Sequence, residues 1–266
     1  MSDTSPETAP KPARTRGNII AVASGKGGVG KTWFSITLAH ALAMVDRKVL
    51  LFDGDLGLAN LDIQLGLMAK SDLGAVLAGR ASLAQAVGYC DDGGFDVIAG
   101  RSGSGALANL ASNRLQSLLD ELALLAANYD YVILDLGAGV ESTVRRLAYA
   151  ADQIVVVVTD EPTSLTDGYA FIKLTHNERP DADIKVVTNM VNSTTEGERT
   201  YNTLNKACQG FLKYSPDHLG IVRRDDKVRG AIRAQQSILS RSPNSPAAED
   251  VKQIARVIRR GNNKAE

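Results

Sequence analysis

The sequence lacks the features that mark secreted, metal-cluster and membrane-spanning proteins. It has only two cysteines, Cys90 and Cys208, and no CxxC pair, so neither a disulfide framework nor a thiolate-held metal or iron–sulfur cluster within one chain is supported. No apolar run approaches the roughly 18 residues that a membrane span needs, and the N-terminus has no apolar signal-peptide core. We therefore expect a protein of the reducing cytoplasm.

Net charge is absent as well, because 30 Lys and Arg residues balance 30 Asp and Glu residues. Neutrality alone argues weakly against a surface coated with positive charge for nucleic acid. The balance nevertheless hides a division: residues 223–266 carry 11 basic and 5 acidic side chains, a net charge of +6, and the residues before them carry −6. If lipid, DNA or an acidic partner binds electrostatically, the last 44 residues are where we expect the contact.

The chain does contain enough apolar sequence for a sizeable core. Hydrophobic residues make up 44% of it, which excludes disorder of the chain as a whole. Residues 1–17 have three prolines and no large aliphatic residue after Met1, so they are predicted to be a flexible tail. No proline-rich or glycine-rich linker divides the remainder, and we predict one domain over 18–260 with a short tail over 261–266.

From Asn18 onward, short apolar runs alternate with longer helical patterns, which is typical of βαβ units. Strands are predicted at Ile19–Ala23, Val49–Phe52, Tyr131–Leu134, Ile154–Val158 and Ile184–Thr188. Helices are predicted at Lys31–Met44, Arg114–Ala126, Glu141–Ala150, Leu165–Thr175, Arg199–Leu212 and Ala247–Ile258. Because the strands are apolar throughout, helices should cover both faces of the sheet. The predicted fold is α/β, with a mostly parallel, twisted sheet flanked by helices on both faces.

A glycine-rich loop follows the first strand and leads directly into a helix. It reads Gly25-Lys26-Gly27-Gly28-Val29-Gly30-Lys31-Thr32 and matches the phosphate-loop pattern G-x-x-x-x-G-K-[ST]. Its glycines allow backbone N–H groups to turn toward phosphate oxygens, and the helix adds its positive N-terminal end. We expect Lys31 to reach the β- and γ-phosphates and the Thr32 hydroxyl to coordinate Mg²⁺. The alternative, a glycine-rich turn without a ligand, is disfavoured by the correct flanking strand and helix.

The residues KGGVGKT resemble the loop of the deviant Walker A ATPases, the MinD/ParA family of P-loop NTPases (the MinD-like group of the SIMIBI class), which carries an additional early lysine. Here that lysine is Lys26. The resemblance implies that Lys26 reaches across an ATP-bound homodimer to the phosphates held by the other subunit. A cation supplied in this way makes hydrolysis of Mg·ATP conditional on dimerisation. From the loop alone, a solvated lysine is an equal alternative.

The second strand ends in DGDLGLANLD, residues 53–62. Carboxylates at the carboxyl edge of a strand beside a phosphate loop point toward the ligand crevice. By resemblance to the first switch segment of the family, Asp55 orients and polarises the attacking water, Asp53 supports the hydration shell of Mg²⁺, and Asn60 faces the partner subunit. The alternative is a surface turn, since Asp and Gly cluster in turns for their own reasons.

A third strand, Tyr131–Leu134, delivers Asp135 and is followed by Leu136-Gly137-Ala138-Gly139. Aliphatic residues that end in an aspartate form a Walker B pattern, in which the carboxylate accepts hydrogen bonds from Mg²⁺-bound water. The glycines leave room for a second switch that senses the γ-phosphate. A strand that ends in Asp at a plain turn is the alternative.

Two residues are predicted beside the base and a third near the α-phosphate. Family members place an asparagine after the fifth predicted strand to bind the adenine edge, which makes Asn189 the candidate here; a strand-ending Asn is the alternative. The segment Leu219–Asp225 resembles the loop beside the base, with Arg223 where a proline is usual. Trp33 stands where relatives commonly have a threonine near the α-phosphate, and it either packs against a neighbouring helix or alters nucleotide binding.

Within the family, three segments look most like the FlhG branch, also called FleN or YlxH, whose members regulate flagellar number and placement. They are residues 53–67, Ile98-Ala99-Gly100 as a turn, and residues 160–167. The resemblance implies a dimerising switch with slow ATP hydrolysis. It also implies a protein partner such as a flagellar GTPase, a C-ring component or a transcriptional regulator. The N-terminal tail lacks the DQAxxLR-type segment that stimulates the partner GTPase.

Two other functional classes stay open. One is a ParA-type positioner of DNA or protein cargo that grips DNA through Arg223, Arg224, Arg229 and Arg233. The other is a metabolic relative, such as a nitrogenase-reductase-like enzyme or a synthetase. The missing cysteine ligand pair and the absence of an extra acid–base constellation disfavour the second class.

Two helical faces complete the predictions. Val251, Ile254, Ala255 and Ile258 share one face of the last helix, with basic residues elsewhere. This face either docks on the domain, the commoner use, or lies on anionic lipid and holds the protein at the inner face of the cell membrane or the cell pole. The face formed by Tyr201, Leu204, Cys208 and Phe211 is predicted to pack in the core, with Cys208 as an inert thiol.

Overall fold

The structure, a computed structural model, describes residues 18–263 except 56, 58, 68–71 and 101–111. The predicted tail over 1–17 and residues 264–266 of the second tail lie outside the described residues. The strands are β1 Ile19–Ser24, β2 Val49–Gly54, β3 Gly88–Cys90, β4 Phe95–Ile98, β5 Tyr131–Ala138, β6 Gln153–Val158, β7 Asp183–Val191 and β8 Asp217–Arg223. The helices are α1 Lys31–Ala43, α2 Leu61–Leu65, α3 Leu73–Leu77, α4 Ser112–Ala126, α5 Ser142–Tyr149, α6 Pro162–Glu178, α7 Thr194–Leu212, α8 Asp226–Arg233, α9 Ile238–Arg241 and α10 Pro246–Asn263, with a 3₁₀ turn at Ala84–Ala86.

The strands form one sheet in the order β3-β4-β2-β5-β1-β6-β7-β8. Neighbouring strands are parallel except for the β3–β4 pair, which is antiparallel. Apolar side chains from α1, α9 and α10 cover one face of the sheet, and side chains from α4, α5, α6 and α7 cover the other. The predicted fold class, a mostly parallel sheet with helices on both faces, is confirmed. Burial on both faces is the reason that the central strands are apolar throughout.

Three strands were not predicted from the sequence. β3 and β4 have only three and four residues. Such short segments do not show a recognisable periodic pattern in the sequence. β8 contains Asp217, His218 and Gly220 and lies at the sheet edge, so it reads as a loop. Accordingly the predicted loop over Leu219–Asp225 is mostly strand, and Ile98 of the predicted turn is the last residue of β4.

The two amphipathic faces have different outcomes. On α10, the stripe of Val251, Ile254, Ala255 and Ile258 is buried in the core against α1 and β8, so the docking alternative is the one that the structure shows. On α7, Leu204 and Cys208 are buried, but Phe211 is 81% exposed. The prediction that Phe211 packs in the core is wrong: its ring lies on the surface, edge-on to the ring of Tyr169 with the centroids 6.3 Å apart.

None of the described helices combines the length and the apolar character needed to cross a lipid bilayer.

Candidate functional site

The carboxyl ends of β2, β5, β7 and β8 and the loop after β1 open on one cavity of about 800 Å³, a size usual for small-molecule sites. The predicted site residues that line it are Gly27, Gly28, Gly30, Lys31, Thr32, Trp33, Asp55, Asn189 and Arg223. Five other predicted residues do not line it: Gly25, Lys26, Val29, Asp53 and Asp135. Because these strands are parallel, their carboxyl ends meet at the same edge and bring residues from distant parts of the chain together.

The backbone of the phosphate loop adopts conformations that require glycine at two positions. Gly28 and Gly30 have φ angles of +79° and +89°, the left-handed region that other residues enter at a steric cost. A Cβ atom on Gly30 would lie 2.5 Å from Nδ2 of Asn189. The loop then enters α1 at Lys31, so the positive end of the helix faces the place that the loop encloses.

Asn189 braces the phosphate loop. Its Nδ2 donates to the backbone carbonyl of Val29 at 2.8 Å, and its Oδ1 accepts from the backbone N–H of Met190 at 2.9 Å. Met190 itself has a φ angle of +60°, a strained conformation for a residue with a side chain. This brace was not foreseen from the sequence, and the predicted contact of Asn189 with adenine stays a prediction.

Lys31 and two buried aspartates form the charged floor of the site. Burial lowers the pKa of Lys31, and the Asp135 and Asp55 carboxylates act in the opposite direction. Burial raises the pKa of Asp135 to about 6, although hydrogen bonds from the Thr32 and Ser35 side chains favour its ionised form; the Ser35 Oγ lies 2.9 Å from Oδ1 of Asp135. Burial, with the Asp135 charge as a second cause, raises the pKa of Asp53 to about 7.

Burial and a neighbouring carboxylate disfavour the ionised form of both Asp53 and Asp135. A cation between such groups would favour the ionised form of both. The neighbouring Thr32 supplies a hydroxyl oxygen, and Mg²⁺ prefers oxygen ligands. The residues present therefore fit a magnesium ion. Among the described residues, no group of three or more His, Cys, Asp or Glu side chains is arranged to hold a metal without further ligands.

The first switch segment lies beside this floor. Asp55 lines the cavity, and its Oδ1 accepts from the backbone N–H of Gly57 at 3.3 Å. Asp53 accepts from the backbone N–H groups of Asp55 and Leu61 at 3.2 and 3.3 Å. Asn60 also lines the cavity, at the N-cap position of α2. Residues 56 and 58 of the segment lie outside the described residues.

Lys26 does not line the cavity and contacts another part of the chain instead. Its Nζ lies 2.6 Å from Oε2 of Glu161 and 2.9 Å from Oγ1 of Thr163, both at the start of α6. The hydrogen bond and the charge of Lys26 lower the pKa of Glu161. The sequence had marked the segment that holds Glu161 and Thr163 as typical of the branch, but it had given these residues no contact with Lys26.

Arg223 is the last residue of β8 and is fixed by a residue that the sequence did not single out. Its Nε and Nη2 donate to the Asp250 carboxylate of α10 at 2.9 and 2.8 Å, and its backbone N–H donates to the same carboxylate at 2.9 Å. Asp250 is far along the chain from the cavity motifs, and no pattern marks it. The guanidinium lines the cavity while it ties β8 to α10.

Trp33 is 7% exposed and packs in the apolar cluster around α1 while it also lines the cavity. The packing alternative for this residue is therefore the one observed. Its effect on nucleotide binding stays a prediction.

The first strand of the sheet leads into a G-x-x-x-x-G-K-T loop and a helix, and two neighbouring parallel strands each contribute an aspartate near the loop lysine. This arrangement defines a P-loop nucleotide-binding protein. An AAA domain family matches residues 17–184. Over 240 residues the chain is 36% identical to the antiactivator FleN of Pseudomonas aeruginosa, which covers 90% of this chain and 85% of that protein. Over 242 residues it is 33% identical to the flagellum site-determining protein YlxH of Helicobacter pylori, covering 90% and 81%.

A solved structure with a similar fold agrees with these sequence relationships. The septum site-determining protein MinD of Pyrococcus horikoshii, complexed with Mg-ADP, superimposes with a TM-score of 0.79 over 94% of this chain and 98% of that one, at 22% identity. The chain belongs to the MinD/ParA family of P-loop ATPases, and the resemblance drawn from its motifs is confirmed.

Proposed function

We propose that this chain is a Mg²⁺-dependent ATPase that dimerises when it binds ATP and controls the number or placement of flagella. The observation that carries the ATPase part is the position of Lys31, which lines the cavity at the mouth of the phosphate loop with Asp135 and Asp55 near it. The flagellar part is supported by the relatives, which are named an antiactivator FleN and a flagellum site-determining protein.

The described residues have distinct roles in this proposal. Backbone N–H groups of Gly27, Gly28 and Gly30 bind the phosphates, and Lys31 neutralises the charge between the β- and γ-phosphates. The Thr32 hydroxyl, with Asp53 and Asp135 acting through water, would hold Mg²⁺; a MinD protein of the same fold has been solved in complex with Mg-ADP. When bound, the metal ion stabilises charge on the transferred phosphoryl group.

Hydrolysis needs a positioned water and a further cation. Asp55 lines the cavity at the end of β2, where its carboxylate accepts a proton or hydrogen bond from the attacking water. Lys26 does not line its own cavity, and in the proposal it serves the phosphates of a second copy of the chain. A homodimer in the ATP state is therefore required for turnover.

The output of the switch is a contact that only the ATP-bound dimer makes. The proposed partners are a flagellar GTPase, a C-ring component or a regulator, in the cytoplasm or at the inner face of the cell membrane or pole. Because the apolar stripe of α10 is buried against the domain, any lipid contact through this helix has to use its basic residues, including the exposed Arg256 and Arg260.

Two measurements on purified protein and one in cells test the proposal. Wild-type protein is expected to hydrolyse ATP slowly in the presence of Mg²⁺ and to shift to a dimer with a non-hydrolysed ATP analogue. Lys31→Ala should abolish both, whereas Lys206→Ala, an exposed lysine on α7, should abolish neither. Cells that lack the protein should have a changed number or position of flagella, restored by wild type and not by Lys31→Ala. Wild-type protein that neither binds nor hydrolyses ATP would refute the proposal.

A ParA-type positioner of cargo on DNA is the second candidate. It is favoured by Arg229 and Arg233, which are both exposed on α8. Protein that grips random duplex DNA through such residues loses about 10³-fold or more in affinity between 50 and 200 mM salt. Strong, salt-sensitive and ATP-dependent binding to random duplex, weakened by an Arg229→Ala and Arg233→Ala double variant, would favour this candidate over the flagellar switch.

A further inference from the structure

Two carbonyl groups of the phosphate loop are each held by a side chain from outside the loop. The hydroxyl of Ser24, at the end of β1, donates to the carbonyl oxygen of Lys26 at 2.6 Å. The Nδ2 of Asn189, near the end of β7, donates to the carbonyl oxygen of Val29 at 2.8 Å. Ser24 and Asn189 are 0% and 2% exposed. The core of the protein therefore supplies both donors.

The orientation of the Asn189 amide follows from its two partners. Its Nδ2 faces the carbonyl oxygen of Val29, which can only accept a hydrogen bond, and its Oδ1 faces the backbone N–H of Met190, which can only donate one. A rotated amide would set donor against donor and acceptor against acceptor. The amide is thus fixed by the chain itself, before any ligand binds.

Each of these carbonyl groups shares a peptide unit with the N–H group of the next residue: Lys26 with Gly27, and Val29 with Gly30. In a planar trans peptide the C=O and N–H bonds point in opposite directions. Lys26 and Val29 do not line the cavity, whereas Gly27 and Gly30 do. A carbonyl group that is held on the outer side of the loop therefore directs the N–H group of its peptide toward the cavity.

We propose that Ser24 and Asn189 are positioning residues that orient the N–H groups of Gly27 and Gly30 toward the phosphates. The inference rests on the proposed function, which assigns these N–H groups to the phosphates, and it gives Asn189 a role that does not depend on the base. Without the side-chain donor, the carbonyl group loses its partner and the peptide loses its fixed direction. The ligand then has to order the loop when it binds, so its affinity falls.

The binding of ATP and of inorganic tripolyphosphate, measured calorimetrically with Mg²⁺ present, tests this proposal. Tripolyphosphate has neither base nor ribose, so its affinity reports on the phosphate loop alone. In Asn189→Ala and in Ser24→Ala, the dissociation constants of both ligands should rise by the same factor, about 10-fold. Thr188→Ala on β7 and Ser237→Ala before α9 are the matched controls. Both residues are buried and do not line the cavity, and each change should alter affinity by less than about 2-fold.

Nitrogen-15 relaxation measures the order of the two N–H groups directly, and its first result requires no variant. In wild-type protein without ligand, the order parameters of Gly27 and Gly30 should be about 0.85, the value typical of a rigid backbone. Asn189→Ala should lower the value mainly at Gly30, and Ser24→Ala should lower it mainly at Gly27. This correspondence separates the proposed roles from a general loss of packing.

Order parameters below about 0.6 at Gly27 and Gly30 in ligand-free wild type that binds ATP would overturn this inference alone. Wild-type affinity for tripolyphosphate in Asn189→Ala or in Ser24→Ala would overturn it as well, and so would equal losses of affinity in the control variants. Wild type that binds neither ATP nor tripolyphosphate would refute the proposed function, and this inference would fail with it.

Discussion

The ammonium group of Lys26 lies 2.6 Å from the carboxylate of Glu161 in the same chain. The two residues are 135 positions apart and join the phosphate loop to the start of α6. The contact holds Lys26 at the start of α6. The proposed function assigns this lysine to the phosphates of a second subunit. Before Lys26 can contact the phosphates bound by another copy of the chain, its ion pair with Glu161 has to break, or the two residues have to move together.

Glu161→Gln is expected to raise the ATP turnover rate and the fraction of dimer at limiting protein concentration. The pair is exposed, and exposed ion pairs are weak because solvent screens them, so the increase should be at most about 5-fold. Turnover measured against protein concentration checks this prediction, since an effect on dimerisation disappears at saturating protein.

Glu178→Gln is the matched control for this change. It breaks a partly exposed pair, with Arg145 at 3.2 Å, at the other end of α6, and should leave turnover unchanged. A fall in turnover in Glu161→Gln would mean that Glu161 supports the active arrangement of Lys26 and does not hold it back.

Lys26→Ala and Asp55→Ala should separate binding from hydrolysis. Both variants are expected to bind ATP, because Lys31 and the loop backbone remain, and both should lose about 10²-fold or more in turnover, the usual effect of removing a group that stabilises the transition state. Asp55→Ala should also accumulate as the ATP-bound dimer, seen by light scattering after chromatography. Wild-type turnover in Asp55→Ala would refute its assignment to the attacking water.

Asp250→Asn should raise the KM for ATP by about 3- to 10-fold with kcat within about 2-fold of wild type, since a charge-assisted pair that fixes a cavity wall is weakened. The reason is local: this carboxylate holds both the guanidinium and the backbone N–H of Arg223. Glu249→Gln, which removes the neighbouring carboxylate that pairs with Lys252, should leave KM unchanged. A lower kcat at constant KM in Asp250→Asn would assign Asp250 to a different step.

His40 should make the protein less stable in acid. Burial lowers the pKa of His40 below the ordinary 6.5, with the Asp92 carboxylate acting in the opposite direction, and its Nδ1 lies 2.7 Å from the Oγ of Ser237. Below pH 6.5 the unfolded chain binds a proton that the folded chain does not. The free energy of unfolding therefore falls as pH falls, by at most about 1.4 kcal/mol per pH unit.

Urea unfolding of wild type and His40→Gln between pH 8 and pH 5 isolates this effect. Other groups that titrate, such as Asp53 and His218, are common to both proteins, so their contributions cancel in the difference. The stability of wild type relative to His40→Gln should be constant above pH 7 and should decrease toward pH 5. A difference that does not vary with pH would show that His40 titrates alike in the folded and unfolded chains.

Much of the fold and site was predictable because the signals are local. The apolar runs that become β1, β2, β5, β6 and β7 are long enough to identify without knowledge of their partners. The phosphate loop is a continuous segment, so its glycines, Lys31 and Thr32 could be proposed from spacing, and Asp135 could be proposed because it ends a predicted strand. The roles of Asp53 and Asp55 were predicted from the resemblance to the family. β3 and β4 were missed because strands of three and four residues are too short to give a periodic pattern. β8 was missed because Asp217, His218 and Gly220 interrupt its apolar sequence.

The sequence by itself determined which groups stand at the carboxyl edge of the sheet: a glycine-rich loop with two lysines, and aspartates at the ends of the second and third predicted strands. Only the tertiary structure decided which residues hold these groups in place. Glu161 meets Lys26 across 135 positions, and Asp250 meets Arg223 across 27. Such contacts leave no local pattern, because they arise from the order and register of parallel strands that bring distant segments to one edge.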